Sequence, residues 1–258
     1  MAKAMPVPVV ARDGSTHKVG ARGWWLVLGD VHLPYHDRVT LELAVKEAVR
    51  RKAKGVLLNG DLLDSHEVSD HDKDPRAPRY KEEIEYGRQF LAWLRGKLPR
   101  AEIVLKEGNH EERLLRYIGN KAPALFGVEG VSLPEFLRVD DVGVEWVGGR
   151  RVVELGRLNV IHGHEYRGGV STSVNPARGL YAKARSVALC GHWHRTSEHH
   201  DRDIRGKPEA AWSVGCACDL APQYAPLNSW NLGFALVHLG RDGFFEVENK
   251  RVYNGRLV

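Results

Sequence analysis

Three apolar runs in the first half of the chain each break off into polar residues: "GWWLVLGDVH" (23–32), "GVLLNGDLLD" (55–64) and "AEIVLKEGNHEE" (101–112). Each is a short unbroken apolar stretch, the pattern of a strand buried on both faces. Between them, residues 38–54 and 81–98 carry apolar side chains at helical spacing. A third helix follows "GNH" and opens with Glu111 and Glu112, acids that suit a helix N-terminus. The order β-α-β-α-β-α predicts parallel strands with right-handed helical crossovers. In such sheets ligands bind beyond the carboxyl ends of the strands, where these polar residues fall. Residues 65–80 are polar and proline-containing and predict a long loop.

The second half changes character. "VGVEWVGG" (142–149), "RRVVELG" (150–156) and "RLNVIHGHEY" (157–166) are short and glycine-punctuated, which predicts antiparallel strands. Residues 165–185 predict a loop and a short helix, and "SVALCGHWH" (186–194) another buried strand with a polar end. Three more strands follow, the last two joined at "GRDG". A parallel half followed by an antiparallel half predicts an α/β protein of two packed sheets with helices outside. Residues 1–20 form a loose arm in this reading, and 21–258 a single domain.

Composition narrows this only slightly. Hydrophobic residues make up 43% of the 258 and charged residues 28%, as in an ordinary globular protein. A net charge of +5 permits a polyanionic substrate without requiring one. Cys190, Cys216 and Cys218 are too few for a disulfide framework and fit the cytoplasm; they read as small residues in buried strands. No run has the length of a membrane span, and the first twenty residues lack the apolar core of a secretory signal, so no membrane partner is expected.

The candidate chemistry sits in five clusters: "GDVH" (29–32), "GDLLD" (60–64), "GNHE" (108–111), "HGH" (162–164) and "GHWH" (191–194). Carboxylate, carboxamide and imidazole together suit borderline divalent cations. Asp30 and His32 stand at i and i+2, as do His192 and His194; on an extended strand end each pair shares one face, with Trp193 turned away. A lone "GD" is usually a turn and a lone "HGH" a weak signal, while Asn and His leaving a strand just before a helix, as in "GNHE", are unusual as mere structure. All five at strand ends would strand many polar groups in one crevice unless something bound there.

The series D-x-H, G-D-x-x-D, G-N-H-E, H-G-H and G-H-x-H resembles the calcineurin-like metallophosphoesterase superfamily, from Asp30 to His194. The resemblance implies a four-layer α/β-β/α sandwich of two mixed sheets flanked by helices. It implies two divalent ions, Mn²⁺ ahead of Zn²⁺, Fe or Ni²⁺. One would be held by Asp30, His32, Asp61 and His194, the other by Asp61, Asn109, His162 and His192, with Asp61 bridging. A hydroxide shared by the ions would attack phosphorus in line. His110 would contact the scissile phosphate and protonate the leaving oxygen, its tautomer fixed by the Asp64 carboxylate. The arginines that protein phosphatases of the superfamily carry beside their second and third motifs are missing: Ser65 follows Asp64, and Glu107 precedes Gly108. "HGH" and "GHWHR" look more like the bacterial and phage phosphodiesterase and nuclease branches.

Substrate-holding candidates are Arg113, Tyr166, Arg167 and Arg178, basic or aromatic residues following the motifs. Tyr224 and Trp230 lie in an irregular segment, as a base-stacking platform or as core. The expected activity is hydrolysis of a phosphodiester, nucleic acid or nucleotide. The alternatives are a phosphomonoesterase of the same fold and a catalytically silent, metal-stabilised binding module. His199 and His200 match no motif and read as surface residues.

Overall fold

A computed structural model describes residues 14–170 and 174–258. The strands are β1 (His17–Lys18), β2 (Gly23–Leu28), β3 (Gly55–Asn59), β4 (Glu102–Lys106), β5 (Val144–Val147), β6 (Val153–Leu155), β7 (Leu158–Ile161), β8 (Ala188–Cys190), β9 (Ser197–Arg202), β10 (Pro208–Ser213), β11 (Leu232–Leu239), β12 (Phe245–Tyr253) and β13 (Arg256–Leu257). The helices are α1 (Arg38–Arg50), α2 (Tyr80–Lys97), α3 (Glu112–Lys121), α4 (Leu133–Leu137) and α5 (Pro176–Ala184). One sheet has the order β13-β12-β11-β2-β3-β4-β5, the other β1-β6-β7-β8-β10-β9.

Strand β2 shows why its apolar run is unbroken. Trp25 and Val27 face the second sheet and pack with Leu57, Val104, Leu158, Val160 and Leu189. Leu26 and Leu28 face outward onto α1 and α2, beside Leu41, Ala44, Leu91 and Leu94. A strand covered on both sides has no solvent face for polar residues. On the far side of the second sheet, Cys190 and Ala211 meet Leu180 of α5. The molecule is thus layered helices, sheet, sheet, helix, as expected for the α/β-β/α sandwich.

The expected split into a parallel and an antiparallel half needs correction. Strand β5 pairs in parallel with β4 and extends the first sheet, and β7–β8 and β8–β10 are also parallel. Strand β11 pairs antiparallel with β2, so both sheets are mixed. A three- or four-residue strand has too few positions for its pattern to reveal the direction of its neighbour. His17–Lys18, placed by sequence in the 1–20 arm, pairs with β6; residues 1–13 of that arm lie outside the described residues.

Asn59 joins the two sheets where the site forms. Its side-chain amide donates to the Ile161 carbonyl at 2.9 Å, and its own carbonyl meets His162 Nδ1 at 2.7 Å. Strands β2, β3 and β4 of one sheet and β7 and β8 of the other therefore end at one crevice.

Candidate metal centre

Five of the seven ligand candidates leave those strand ends on sharply turned backbone. Asp30, His32, Asp61, His192 and His194 all have left-handed φ, from 49° to 69°. This corrects the expectation that an extended strand end aims the i and i+2 pairs. The strands stop at Leu28 and Cys190, and left-handed residues alternate with Val31 and Trp193 beyond them. Such conformations cost roughly 1–3 kcal/mol each in a non-glycine residue and persist only where the surroundings enforce them. Trp193 does turn away, packing with the α5 side of the core. Gly60 and Gly108 allow the close approach: a Cβ on Gly60 would lie 2.5 Å from His162 Nδ1, and one on Gly108 would overlap the Asp61 carboxylate.

The side chains meet in two groups that share Asp61. In one, His194 Nε2 is 3.2 Å from Asp30 Oδ1 and 3.3 Å from His32 Nε2, which is 3.9 Å from Asp61 Oδ2. In the other, His162 Nε2 is 3.2 Å from Asp61 Oδ2 and 3.1 Å from Asn109 Oδ1, and His192 joins Asp61 and His162 in one potential ligand set. Asp30, His32, Asp61, His162 and His194 are buried.

The remaining ring nitrogens decide whether this set fits cations. A histidine that binds a metal through one nitrogen characteristically gives its other N–H to a carbonyl or carboxylate. His162 Nδ1 has the Asn59 carbonyl at 2.7 Å, and His32 Nδ1 has Asp64 Oδ1 at 3.2 Å. His194 Nδ1 faces the Cys218 sulfur at 3.9 Å. Each ring therefore directs Nε2 inward, towards carboxylates and other imidazoles. The donor set fits divalent ions of the borderline class.

Charges inside the crevice are strongly coupled. Burial works against ionisation of Asp61, but His110, His162 and His32 outweigh it and hold the carboxyl well below its usual range. Burial likewise opposes the charged form of His162, yet Asp61, Asp30 and Glu165 push it up to about 10. His194 rises to about 10 against burial, through Asp30. His192 falls to about 4, by burial and by its neighbour His162. Protons on His162 and His194 can compensate the buried carboxylates, the work that cations would do when bound.

His110 lies beside Asp61 and His32, close enough to form a third ligand set with them, but both its ring nitrogens have other partners. The Asp64 carboxylate does not orient it as expected. His110 Nδ1 bonds the main-chain carbonyl of Asp64 at 2.7 Å, with the carboxylate 3.7 Å away. The reason is geometric: the carboxylate is engaged by His32 Nδ1, and the turn to Ser65, at φ 50°, leaves the Asp64 carbonyl facing the imidazole. Arg113 donates to that same carbonyl at 2.6 Å and places Nη2 at 2.9 Å from His110 Nε2. Burial, with His32 and Arg113 nearby, brings His110 down to about 3 despite Asp61.

Of the other substrate candidates, Tyr166 is half-buried against the α5 side of the core, and Arg167 and Arg178 are exposed and belong to neither ligand group. His199 packs against Tyr181 and His200 pairs with Glu198 at 3.1 Å, both on β9 and in neither ligand group. Tyr224 is 71% exposed, so it is not core.

Three supporting residues were not singled out from the sequence. Glu111, read as a helix-opening acid, is buried and accepts from the amides of Gly108, Asp61 and Leu62, each at 2.8 Å. It thus ties two motif loops together. Lys106 is fully buried at the end of β4 and pairs with Glu165 at 2.7 Å; Glu165 accepts from the amides of His162 (2.8 Å) and Gly163 (2.6 Å). The signal was a lysine ending an apolar run and an acid just after "HGH", each ordinary alone.

No family model matches the chain. It is 30% identical over 228 residues to the Gene 54 protein of Mycobacterium phage L5, covering 82% of this chain and 87% of that protein. Its identity to the Gene 54 protein of Mycobacterium phage D29 is 28% over 226 residues, with the same coverage. Among solved structures, a single mutant of Vps29 from Entamoeba histolytica aligns with a TM-score of 0.46 and 13% identity, over 91% of this chain and 96% of that one. The chain belongs to the family of the mycobacteriophage Gene 54 proteins, with the sandwich architecture and complete motif series of the calcineurin-like metallophosphoesterases.

Proposed function

We propose that the protein is a phosphodiesterase that uses two divalent ions and acts on nucleic acid or nucleotide diesters. The observation that carries this reading is the inward convergence of ring nitrogens and carboxylates from five strand ends, with a carbonyl, a carboxylate and a thiol oriented behind them. Asp30, His32, Asp61 and His194 would hold one ion; Asp61, Asn109, His162 and His192 the other. Bound there, the ions supply Lewis-acid chemistry, neutralising phosphoryl charge and lowering the pKa of water.

The chain's own residues do the rest. Asp61 stands between the two groups, its Oδ2 within 3.9 Å of both His32 and His162. His110 keeps its Nδ1 proton on the Asp64 carbonyl, so the proton for a leaving oxygen must travel on Nε2. Arg113 sits beside that nitrogen, with a guanidinium suited to two phosphoryl oxygens. A substrate anion arriving between them replaces Arg113 as the partner of Nε2 and favours its protonation.

The test compares bis(p-nitrophenyl) phosphate, p-nitrophenyl phosphate and single- and double-stranded DNA on Mn²⁺-loaded protein. Diester and DNA turnover above monoester turnover is expected. Faster monoester turnover without nuclease activity overturns the diester assignment. Two bound ions with no turnover on any substrate mean a binding module.

A further inference from the structure

A cleft of about 930 Å³ opens beside the metal centre, between the 65–80 loop and the 218–230 segment. Its floor carries His32 and Asp64. We propose that this cleft is a subsite for a nucleobase, the base of the nucleoside attached to the scissile phosphate; the proposal rests on the phosphodiesterase reading.

Three aromatic side chains line it: Tyr35, Tyr224 and Trp230. Tyr35 is 42% and Tyr224 71% exposed, although both lie within a walled concavity. The Trp230 ring packs on the ligand candidate His194 with centroids 4.1 Å apart, and Tyr224 follows at 6.2 Å. The platform thus runs outward from the metal centre.

The segment is held in place. Asn228 donates to the carbonyls of Leu220 and Ala225 at 2.7 and 2.8 Å and accepts from the Trp230 amide at 2.9 Å. The Asn231 amide bonds the His194 carbonyl at 2.8 Å, fastening the platform to the ligand loop. Rings presented without a fluctuating loop lose little entropy on stacking.

The charges on the opposite wall select what stacks. Arg76 is paired with Asp74 at 2.7 Å, and the Lys73 ammonium is bound to the His66 carbonyl at 3.0 Å and to Ser69. Asp72 and Asp219 also line the cleft. Such a wall does not attract a second phosphate. It suits an uncharged planar ring whose amino and ring N–H groups donate to carboxylates. This places the nucleoside in the cleft and any further phosphates outside it. The volume lies in the range of pockets that enclose a small organic ligand.

The test is calorimetric binding to Mn²⁺-loaded protein of adenosine 5′-monophosphate, ribose 5-phosphate and phosphocholine, for the native chain, Tyr224→Ala and Tyr224→Phe. Expected is tighter binding of the nucleotide than of ribose 5-phosphate. Tyr224→Ala should weaken nucleotide binding roughly tenfold, leave ribose 5-phosphate unchanged, and be rescued by Tyr224→Phe. Equal affinity for nucleotide and sugar phosphate overturns the subsite, as does an unaltered nucleotide affinity in Tyr224→Ala. Phosphocholine binding above nucleotide through Tyr224 means a cation cage instead. Turnover of bis(p-nitrophenyl) phosphate is measured alongside. Turnover without base-dependent binding leaves the phosphodiesterase reading and removes the subsite; base-dependent binding without turnover removes the phosphodiesterase reading, and with it the subsite as the place of a scissile nucleoside, leaving a nucleotide-binding cleft.

Discussion

The two halves of the metal centre are supported in different ways. Behind His162 stand a main-chain carbonyl and a buried ion pair: Asn59 holds Nδ1, and Glu165, neutralised by Lys106, holds the amides of His162 and Gly163. Behind His32 and His194 stand side chains, the Asp64 carboxylate and the Cys218 thiol, and both line the aromatic cleft. One half is fixed by backbone deep between the sheets. The other is fixed by side chains beside an open cleft. The contrast teaches that a metal centre need not be supported alike throughout, and it predicts which substitutions cost metal and which cost only adjustment.

Asp61 belongs to both halves, so its loss should have the largest effect. Asp61→Asn removes the shared charge that holds His162 and faces His32. We expect loss of at least one metal equivalent by elemental analysis and a fall in kcat of ~10³-fold or more. Retention of both ions would break the idea of a shared ligand. His110→Asn comes next. His110 can join His32 and Asp61 in a ligand set, but its Nδ1 is on the Asp64 carbonyl and its Nε2 on Arg113; as an acid rather than a ligand, its loss should lower turnover ~10²–10⁴-fold with metal content unchanged. Loss of metal would instead make His110 a ligand, as its proximity to Asp61 Oδ2, 3.7 Å, permits.

The comparison itself is tested by pairing Lys106→Met with Cys218→Ala. Lys106→Met leaves the Glu165 carboxylate buried without its cation. Breaking a buried pair this way costs about 3–5 kcal/mol, read as a lower urea midpoint. Glu165 is held down at about 2, chiefly by Lys106 against the effect of burial, and its release should loosen the His162 half and lose one metal equivalent. Cys218→Ala removes a long sulfur contact of 3.9 Å to His194. Although Cys218 could join His32 and His194 in a ligand set, as a support behind His194 its loss should keep both ions. Equal metal loss in the two variants would erase the distinction between the halves.

What was legible in the sequence is which residues the fold brings together. Asp30, Asp61, Asn109 and four histidines, His32, His162, His192 and His194, stand out because polar groups end apolar runs, and they converge in the crevice. Long-range partners were hidden. Glu111 looks like a helix-opening acid until Asp61 and Leu62, some fifty residues away, are seen donating to it. Lys106 looks like the polar end of a strand until Glu165 reaches it. The direction of β5 depends on its neighbour β4, and four residues carry no record of that. The left-handed turns at Asp30 and His192 were also invisible: Asp and His adopt that region more readily than most residues, but only a minority of them do, and the sequence does not mark which. The choice of the Asp64 carbonyl over its carboxylate as the partner of His110 depends on a long-range contact of that carboxylate with His32 and on the left-handed turn at Ser65, neither written in the local sequence.

The smallest effect expected is a pH dependence confined to the half supported by side chains. Glu83 of α2 is buried behind Ser65 and accepts from the Ser65 amide at 2.6 Å. Burial, and then the nearby Asp64 charge, push its carboxyl up to about 8, against the Ser65 and His66 amides and Arg113. In the unfolded chain this group titrates near the usual 4.5. Below that pH it is protonated in both states and its contribution to stability is complete. Between about 4.5 and 8 the unfolded chain releases the proton while the folded one keeps it, so stability falls as pH rises. Above about 8 the folded protein carries the buried charge and the loss is complete. Glu83→Gln abolishes this titration. Its stability relative to the native chain should therefore rise between about pH 5 and about pH 9, by an amount on the order of 1 kcal/mol or more. Urea unfolding at the two pH values measures it, and a difference that does not change with pH would mean that Glu83 is already ionised at the lower one.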